Sequence, residues 1–211
     1  MDLGNLREQY QSEGLDLPEV DADPIVQFQN WFAQVEAAGL WEPNAMVVST
    51  VDSFGWPAAR IVLLKAIDAR GFVFFSNYES DKGRELAATP RAALTFFWTE
   101  LRRQVRVRGD VRRLGDAENE AYFATRPRGS QIGAWASPQS EIVAGRQLLE
   151  ERFGELEALY EGADVPRPAH WGGYAVEPHM IEFWQGRENR LHDRIRYDLA
   201  DGKWATVRLA P

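Results

Sequence analysis

Cysteine is absent from the 211 residues. That excludes disulfides and thiolate metal sites, and it fits a reducing compartment. Histidine is scarce. His170, His179 and His192 are the only three, and none has metal-ligand spacing to another, so no metal centre is expected. No apolar run approaches the length of a membrane span. The opening MDLGNLREQY lacks a basic segment followed by an apolar one, so no secretory leader is expected. The expectation is a soluble, cytoplasmic protein with no membrane partner. Positive charge is in deficit, with 24 Lys and Arg against 32 Asp and Glu and a formal net charge of -8. Affinity for a phosphate backbone rests on a positive field, so no nucleic-acid partner is expected. P-loop, GxGxxG, HExxH and GxSxG patterns are also missing, which removes the commonest nucleotide, zinc-protease and α/β-hydrolase signatures.

What is present favours a packed core. Hydrophobic residues make up 45% of the chain, with eight Trp and eleven Phe, which excludes wholesale disorder and suits aromatic-lined cavities. All-β barrels of this length are often single domains. Residues 1–20 are polar and without period and read as a mobile arm; residues 21–211 read as one domain. Asp23 caps a helix with Pro24 at its first position. Ile25, Phe28, Trp31, Phe32 and Val35 recur at helical spacing, and Gly39 ends it. Strand-like runs follow at Ala45–Val51, Ala59–Lys65 and Gly71–Asn77, joined by turn-rich links as in antiparallel hairpins. Ser80–Pro90 reads as a short helix, and Ala92–Trp98 and Arg103–Leu114 as strands. In the latter, Val105 and Val107 point one way while Gln104, Arg106 and Arg108 point the other.

A helix is expected from Asp116 to about Arg126, loop or short helical turns over Ser130–Ser140, and a longer helix over about Glu141–Tyr160. The apolar stripe of that last helix is Ile142, Leu149, Phe153, Leu156 and Leu159 or Tyr160. Four short strands, GGYAVEP, HMIEFWQG, DRIRYDL and KWATVRL, close the chain. The architecture implied is mainly β, a small antiparallel barrel with peripheral helices.

Several clusters carry more chemistry than a fold requires, and each has a plainer reading. LRRQVRVRGDVRR (Leu101–Arg113) is either a solvated strand face or a locally basic site for a small anion. Arg60 and Lys65 bound the apolar run RIVLLK; they are either strand-end charges reaching for water or phosphate contacts beside a flat ring. Ser76 and Lys82, between a strand end and a helix start, can bind phosphate through hydroxyl, ammonium and helix N-terminal amides. Tyr122 and Arg126 are four apart on one helical face and Ser130 follows. They either converge on one phosphate or serve as packing and a helix C-cap. Near the end, IEFWQGRENRLHDR places Trp184 before Arg190, His192 and Arg194. If that stretch is extended, the last three side chains share one face, and such a group beside a Trp points to a site.

These stretches together resemble the pyridoxamine 5'-phosphate oxidases, also called pyridoxine 5'-phosphate oxidases. The matching runs are RIVLLK, FFSNYESDKGREL, RQVRVRG, YFATRPRGSQIGAWASPQS, WGGYAVEP, IEFWQGRENRLHDR and the final RLAP, spanning about Met46–Pro211. REQY (Arg7–Tyr10) resembles the family's N-terminal substrate lid. The resemblance implies an FMN-binding split β-barrel and a homodimer with FMN at two inter-subunit sites. It assigns Arg60, Ile61, Val62, Leu63, Leu64, Lys65, Phe75, Ser76, Lys82, Gln104, Gln139, Ser140, Trp184 and Arg194 to FMN. Lys65, Tyr122, Arg126 and Ser130 become the grip on the substrate phosphate. Arg190 and His192 become the catalytic, substrate-facing pair, and Arg7 and Tyr10 close over the substrate.

The implied reaction is oxidation of pyridoxamine or pyridoxine 5'-phosphate to pyridoxal 5'-phosphate, in which FMN takes a hydride and oxygen becomes hydrogen peroxide. Asp81 departs from the pattern, because an arginine that pairs with the FMN phosphate often precedes the lysine; weaker FMN retention is expected. Two other readings stay open: a different flavin oxidase of the same fold, of the phenazine-pathway type, and a non-catalytic flavin or pyridoxal-phosphate carrier.

Overall fold

The computed structural model describes residues 14–211. Helix α1 (Pro24–Ala37) starts where expected, because the Asp23 carboxylate accepts the Ile25 N–H at 2.8 Å. The strand pair β1 (Ala45–Val51) and β2 (Pro57–Leu63) follows, then the short β3 (Ala66–Asp68) and β4 (Gly71–Asn77). Helix α2 (Asp81–Ala88) is capped by Ser80. Next come β5 (Arg91–Trp98), β6 (Arg103–Arg113), the helices α3 (Asp116–Ala124), α4 (Arg128–Ala136) and α5 (Arg146–Leu159), and finally β7 (Trp171–Gln185), β8 (Asp193–Ala200) and β9 (Lys203–Leu209).

All strands join one antiparallel sheet in the order β2-β1-β5-β6-β7-β4-β3, with β8 on β7 and β9 on β8. The branch occurs within β7. Its first half, Trp171–Val176, pairs β4, and its second half, Met180–Gln185, pairs β8, while β6 runs alongside both. A register shift at Arg108/Gly109 lets the strand change partners. Gly109 is required there, since a Cβ would overlap the Glu177 carbonyl. Alternation decides the faces. Val105, Val107 and Val111 are buried, whereas Arg106, Arg108 and Asp110 are exposed. Helix α1 covers the inner face, with Phe28 against Phe72 and Phe96 at ring separations of 5.1 and 4.9 Å, and Trp31 against Phe183 at 5.2 Å. A smaller cluster of Phe123, Ile132, Val165 and Trp171 holds α3 and α4 to the sheet. No described helix is long and apolar enough to cross a membrane.

The mainly antiparallel, helix-flanked architecture matches the expectation; five local features differ. First, α4 is a regular helix where loop or short turns were expected, because Ile132 and Ala136, four apart, share one buried face. Second, α5 begins at Arg146, so Ile142 lies outside it and is fully exposed, while Leu149, Phe153, Leu156 and Tyr160 form the half-buried stripe. Third, WGGYAVEP and HMIEFWQG are one strand of 15 residues with a bulge, not two. Fourth, RLHDR is not extended throughout: Asn189 and Arg190 have φ of 56° and 62° in a 3-10 turn, and the strand starts only at Asp193. Fifth, the described part of the expected arm, residues 14–20, is tied down. Leu15 is buried, Asp16 caps a 3-10 turn over Leu17–Glu19, and Arg208 binds both the Leu15 carbonyl and the Asp16 carboxylate.

Candidate active site

A cleft of about 890 Å³ opens where β2, β4, α2, α3 and α4 meet. Arg60, Ile61, Val62 and Leu63 of β2 and Lys65 just beyond it form one wall. Arg60 is aimed by two residues that its own motif does not contain: Glu85 on α2, at 2.9 Å, and the Thr50 hydroxyl on β1. Phe75 and Ser76 on β4 line the cleft, together with Lys82 from the first turn of α2. The Lys82 ammonium is nearly buried, and its hydrogen-bond partners among the described residues are neutral, Gln139 Oε1 at 3.0 Å and Ser80 Oγ at 3.2 Å. Burial pushes its pKa down, and the neighbouring Arg60 adds to that. Ser140 sits at φ 74° and its Oγ accepts the Asp81 N–H at 3.2 Å. Asp81 also lines the cleft, and its carboxylate is paired with Arg84 at 2.6 Å.

The other end is built by Tyr122, Arg126 and Ser130. The Tyr122 ring stacks on Phe75 at 3.8 Å, and both lie parallel to Trp171. The Arg126 guanidinium lies 4.5 Å from the centre of the Trp171 ring. Its NH1 is buried and has no hydrogen-bond partner among the described residues. Desolvation lowers its pKa. A half-buried cation with an unsatisfied donor, beside a phenol and a hydroxyl, is a seat for an anion. Four cations, Arg60, Lys65, Lys82 and Arg126, thus line one cleft of an acidic protein.

Leu64 is the exception in RIVLLK: its side chain is buried in the core. Gln104, Trp184, Arg190, His192 and Arg194 are not among the residues lining this cleft. They form a second group. Register places Gln104 opposite Trp184 and Trp184 opposite Arg194, so the three form one row across β6, β7 and β8. The His192 ring packs on Trp184 with centroids 4.7 Å apart, and its Nδ1 accepts the Arg187 N–H at 3.0 Å. A neutral His192 therefore carries its proton on Nε2. Burial, followed by Arg190, lowers its pKa below 6.5. Arg7 and Tyr10 lie outside the described residues.

Trp171, Glu85 and Thr50 escaped the reading of the sequence as site-building residues. Trp171 had a signal, since it opens one of the motif runs. The other two act through cross-strand or helix-to-strand contacts that no local pattern announces. No cluster of potential metal ligands occurs among the described residues.

Comparison with known proteins places this geometry in context. Residues 33–160 match the family model described as pyridoxamine 5'-phosphate oxidase. Residues 171–211 match the pyridoxine 5'-phosphate oxidase C-terminal dimerisation region. A pyridoxine/pyridoxamine 5'-phosphate oxidase from Rubrobacter xylanophilus is 57% identical, over 100% of this chain and 97% of that protein. One from Synechocystis is 54% identical, over 99% and 98%. Among solved structures, PhzG from Burkholderia lata, in complex with tetrahydrophenazine-1-carboxylic acid, is 33% identical with a TM-score of 0.89, covering 95% of this chain and 99% of that one. A pyridoxamine 5'-phosphate oxidase-related, FMN-binding protein from Nostoc punctiforme shares the fold, with a TM-score of 0.70 at 14% identity, over 87% and 97%.

Proposed function

The chain belongs to the pyridoxamine 5'-phosphate oxidase family, and on that premise we propose that it is the enzyme that makes pyridoxal 5'-phosphate by oxidising pyridoxamine and pyridoxine 5'-phosphates, in the cytoplasm. The overall change is pyridoxamine 5'-phosphate, O2 and water to pyridoxal 5'-phosphate, ammonia and H2O2; the alcohol substrate needs no water and releases no ammonia. FMN, when bound, supplies the hydride acceptor and the route of electrons to oxygen.

The donor set fits that cofactor. Lys82 is a nearly buried ammonium with no paired carboxylate among the described residues, next to Arg60 and Ser76; these three would hold the FMN phosphate. Gln139 and Ser140 would supply further polar contacts, and the exposed apolar Ile61 a surface for the ring. The observation that carries the substrate assignment is Arg126, whose buried, unsatisfied NH1 lies beside Tyr122 and Ser130. With Lys65 they grip the substrate phosphate and supply affinity for the phosphorylated substrate. Arg190 holds the substrate over the ring, and neutral His192 donates from Nε2. Arg7 and Tyr10 close over it.

The second group does not line the cleft of its own chain, which supports a site completed by a second copy. The dimerisation-region match over 171–211 contains Trp184, Arg190, His192 and Arg194. In the proposed homodimer, the partner subunit's row of Gln104, Trp184 and Arg194 completes each cleft.

The test is anaerobic. FMN-loaded protein mixed with pyridoxamine 5'-phosphate should lose its yellow band, and air should restore it with pyridoxal 5'-phosphate formed. Flavin that binds yet stays oxidised rejects the assignment. The likeness to PhzG supports a second reading, an oxidase of reduced phenazine precursors. Bleaching by a tetrahydrophenazine carboxylate but not by the vitamer phosphates would select it.

A further inference from the structure

Glu182, on β7, is the one carboxylate among the described residues with almost no exposure, at 3%. It stands on the outer face of the sheet, where its neighbours are cations. Its Oε1 accepts from Arg194 Nε at 2.9 Å, and its Oε2 lies 3.6 Å from Arg106 NH1. Arg194 is held at a second point as well, since its NH1 donates to the Ala210 carbonyl at 3.0 Å. The guanidinium is planar, so two anchors on different nitrogens set its plane and its direction. Among the described residues the NH2 corner makes no hydrogen bond. Burying a carboxylate is costly unless it is paired. Such a residue under an arginine that stands in row with Gln104 and Trp184 is explained by what it aims.

We propose that Glu182 is a positioning residue. With the Ala210 carbonyl, it fixes the Arg194 guanidinium in the orientation that meets the flavin, and its negative charge offsets the paired cations Arg194 and Arg106. The inference rests on the flavin reading of the site. Replacing Glu182 by glutamine exchanges the charge-assisted bond to Arg194 for a weaker neutral one and leaves two uncompensated positive charges near the ring. Flavin reduction adds electrons to that ring, so the variant should have a higher midpoint potential than the wild type. Glu182→Asp keeps the charge and withdraws the carboxylate by one methylene, which breaks the 2.9 Å contact without stripping the cations of their counter-charge.

The experiment is a double-mutant cycle read by FMN titration of the apoprotein, on wild type, Glu182→Gln, Glu182→Asp, Arg194→Ala and the Glu182→Gln/Arg194→Ala pair. Each single variant should weaken FMN binding about tenfold, the scale of one hydrogen bond to a charged group. Glu182→Gln should cost nothing further once Arg194 is alanine. A midpoint potential that rises in Glu182→Gln and stays near wild type in Glu182→Asp completes the expected pattern. FMN affinity within twofold of wild type, or full additivity in the pair, overturns the proposal. Should Glu182→Gln not fold, Glu182→Asp alone decides by the same affinity criterion. A wild-type apoprotein that takes up no FMN would sink the flavin reading itself, which the first titration of the series detects.

Discussion

Replacing Arg126 by methionine should separate two effects that a merely structural arginine would move together. The side chain is half-buried over Trp171, and its NH1 makes no hydrogen bond among the described residues. Leaving a donor unsatisfied costs about 1–3 kcal/mol. The stacking on Trp171 returns about 0.5–2 kcal/mol. The two nearly cancel, so Arg126→Met should change the stability of the apoprotein by about 1 kcal/mol or less, or at most ~4 °C in Tm for a chain of this size. Binding behaves differently. A hydrogen bond from a guanidinium to phosphate is worth about 1.5–3 kcal/mol, which is roughly a 10- to 150-fold change in affinity. The phosphate is remote from the reacting carbon, so the loss should fall on KM with kcat largely kept. The assay is steady-state oxidation of pyridoxamine 5'-phosphate against unphosphorylated pyridoxamine, with melting of the apoprotein at one fixed concentration. The preference for the phosphorylated substrate should shrink in the variant. A KM within threefold of wild type, or a Tm lower by ten degrees or so with the preference intact, would refute the assignment of Arg126 to the phosphate.

Asp81→Arg exchanges a carboxylate on the cleft wall for a cation and gives up an exposed pair with Arg84 that solvent screens. FMN should be held several-fold more tightly by fluorescence titration, and an unchanged dissociation constant counts against a phosphate at that end. His192 has a pKa lowered below 6.5 by burial and Arg190, so the neutral donor persists at and somewhat below that pH. Activity should fall, as His192 protonates, at a lower pH than an unshifted imidazole would impose; a decline already complete at 6.5 contradicts the neutral-donor role. Arg126→Met and Arg194→Ala lie in the two separate residue groups. Mixed and refolded together, and assayed at substrate far below the KM of Arg126→Met with FMN too dilute to load Arg194→Ala, they should form dimers with one intact site and rise above either parent to about a quarter of wild-type activity, whereas no rise means that both groups serve the same subunit's cleft.

Much of this molecule is written locally. Asp23 and Pro24 start α1 because a carboxylate and a ring without an N–H suit the first turn of any helix. The alternation in RQVRVRGDVRR states which side of β6 meets the core, since side chains on a strand must point to opposite faces. Tyr122 and Arg126 share a helical face through their spacing alone. The order of the motif runs pointed to the family and to the cationic residues of the cleft.

Other features needed the tertiary structure, because they depend on register and on long-range approach. Gln104, Trp184 and Arg194 are up to 90 positions apart in sequence, and only the pairing of β6, β7 and β8 puts them in a row. RLHDR bends at Arg190, so its side chains do not simply alternate. Leu64 turns into the core although its neighbours face the cleft. Glu85 and Glu182, which aim Arg60 and Arg194, are ordinary acidic residues in the sequence. A carboxylate acquires that role only when folding removes water from around it and leaves a guanidinium as its partner.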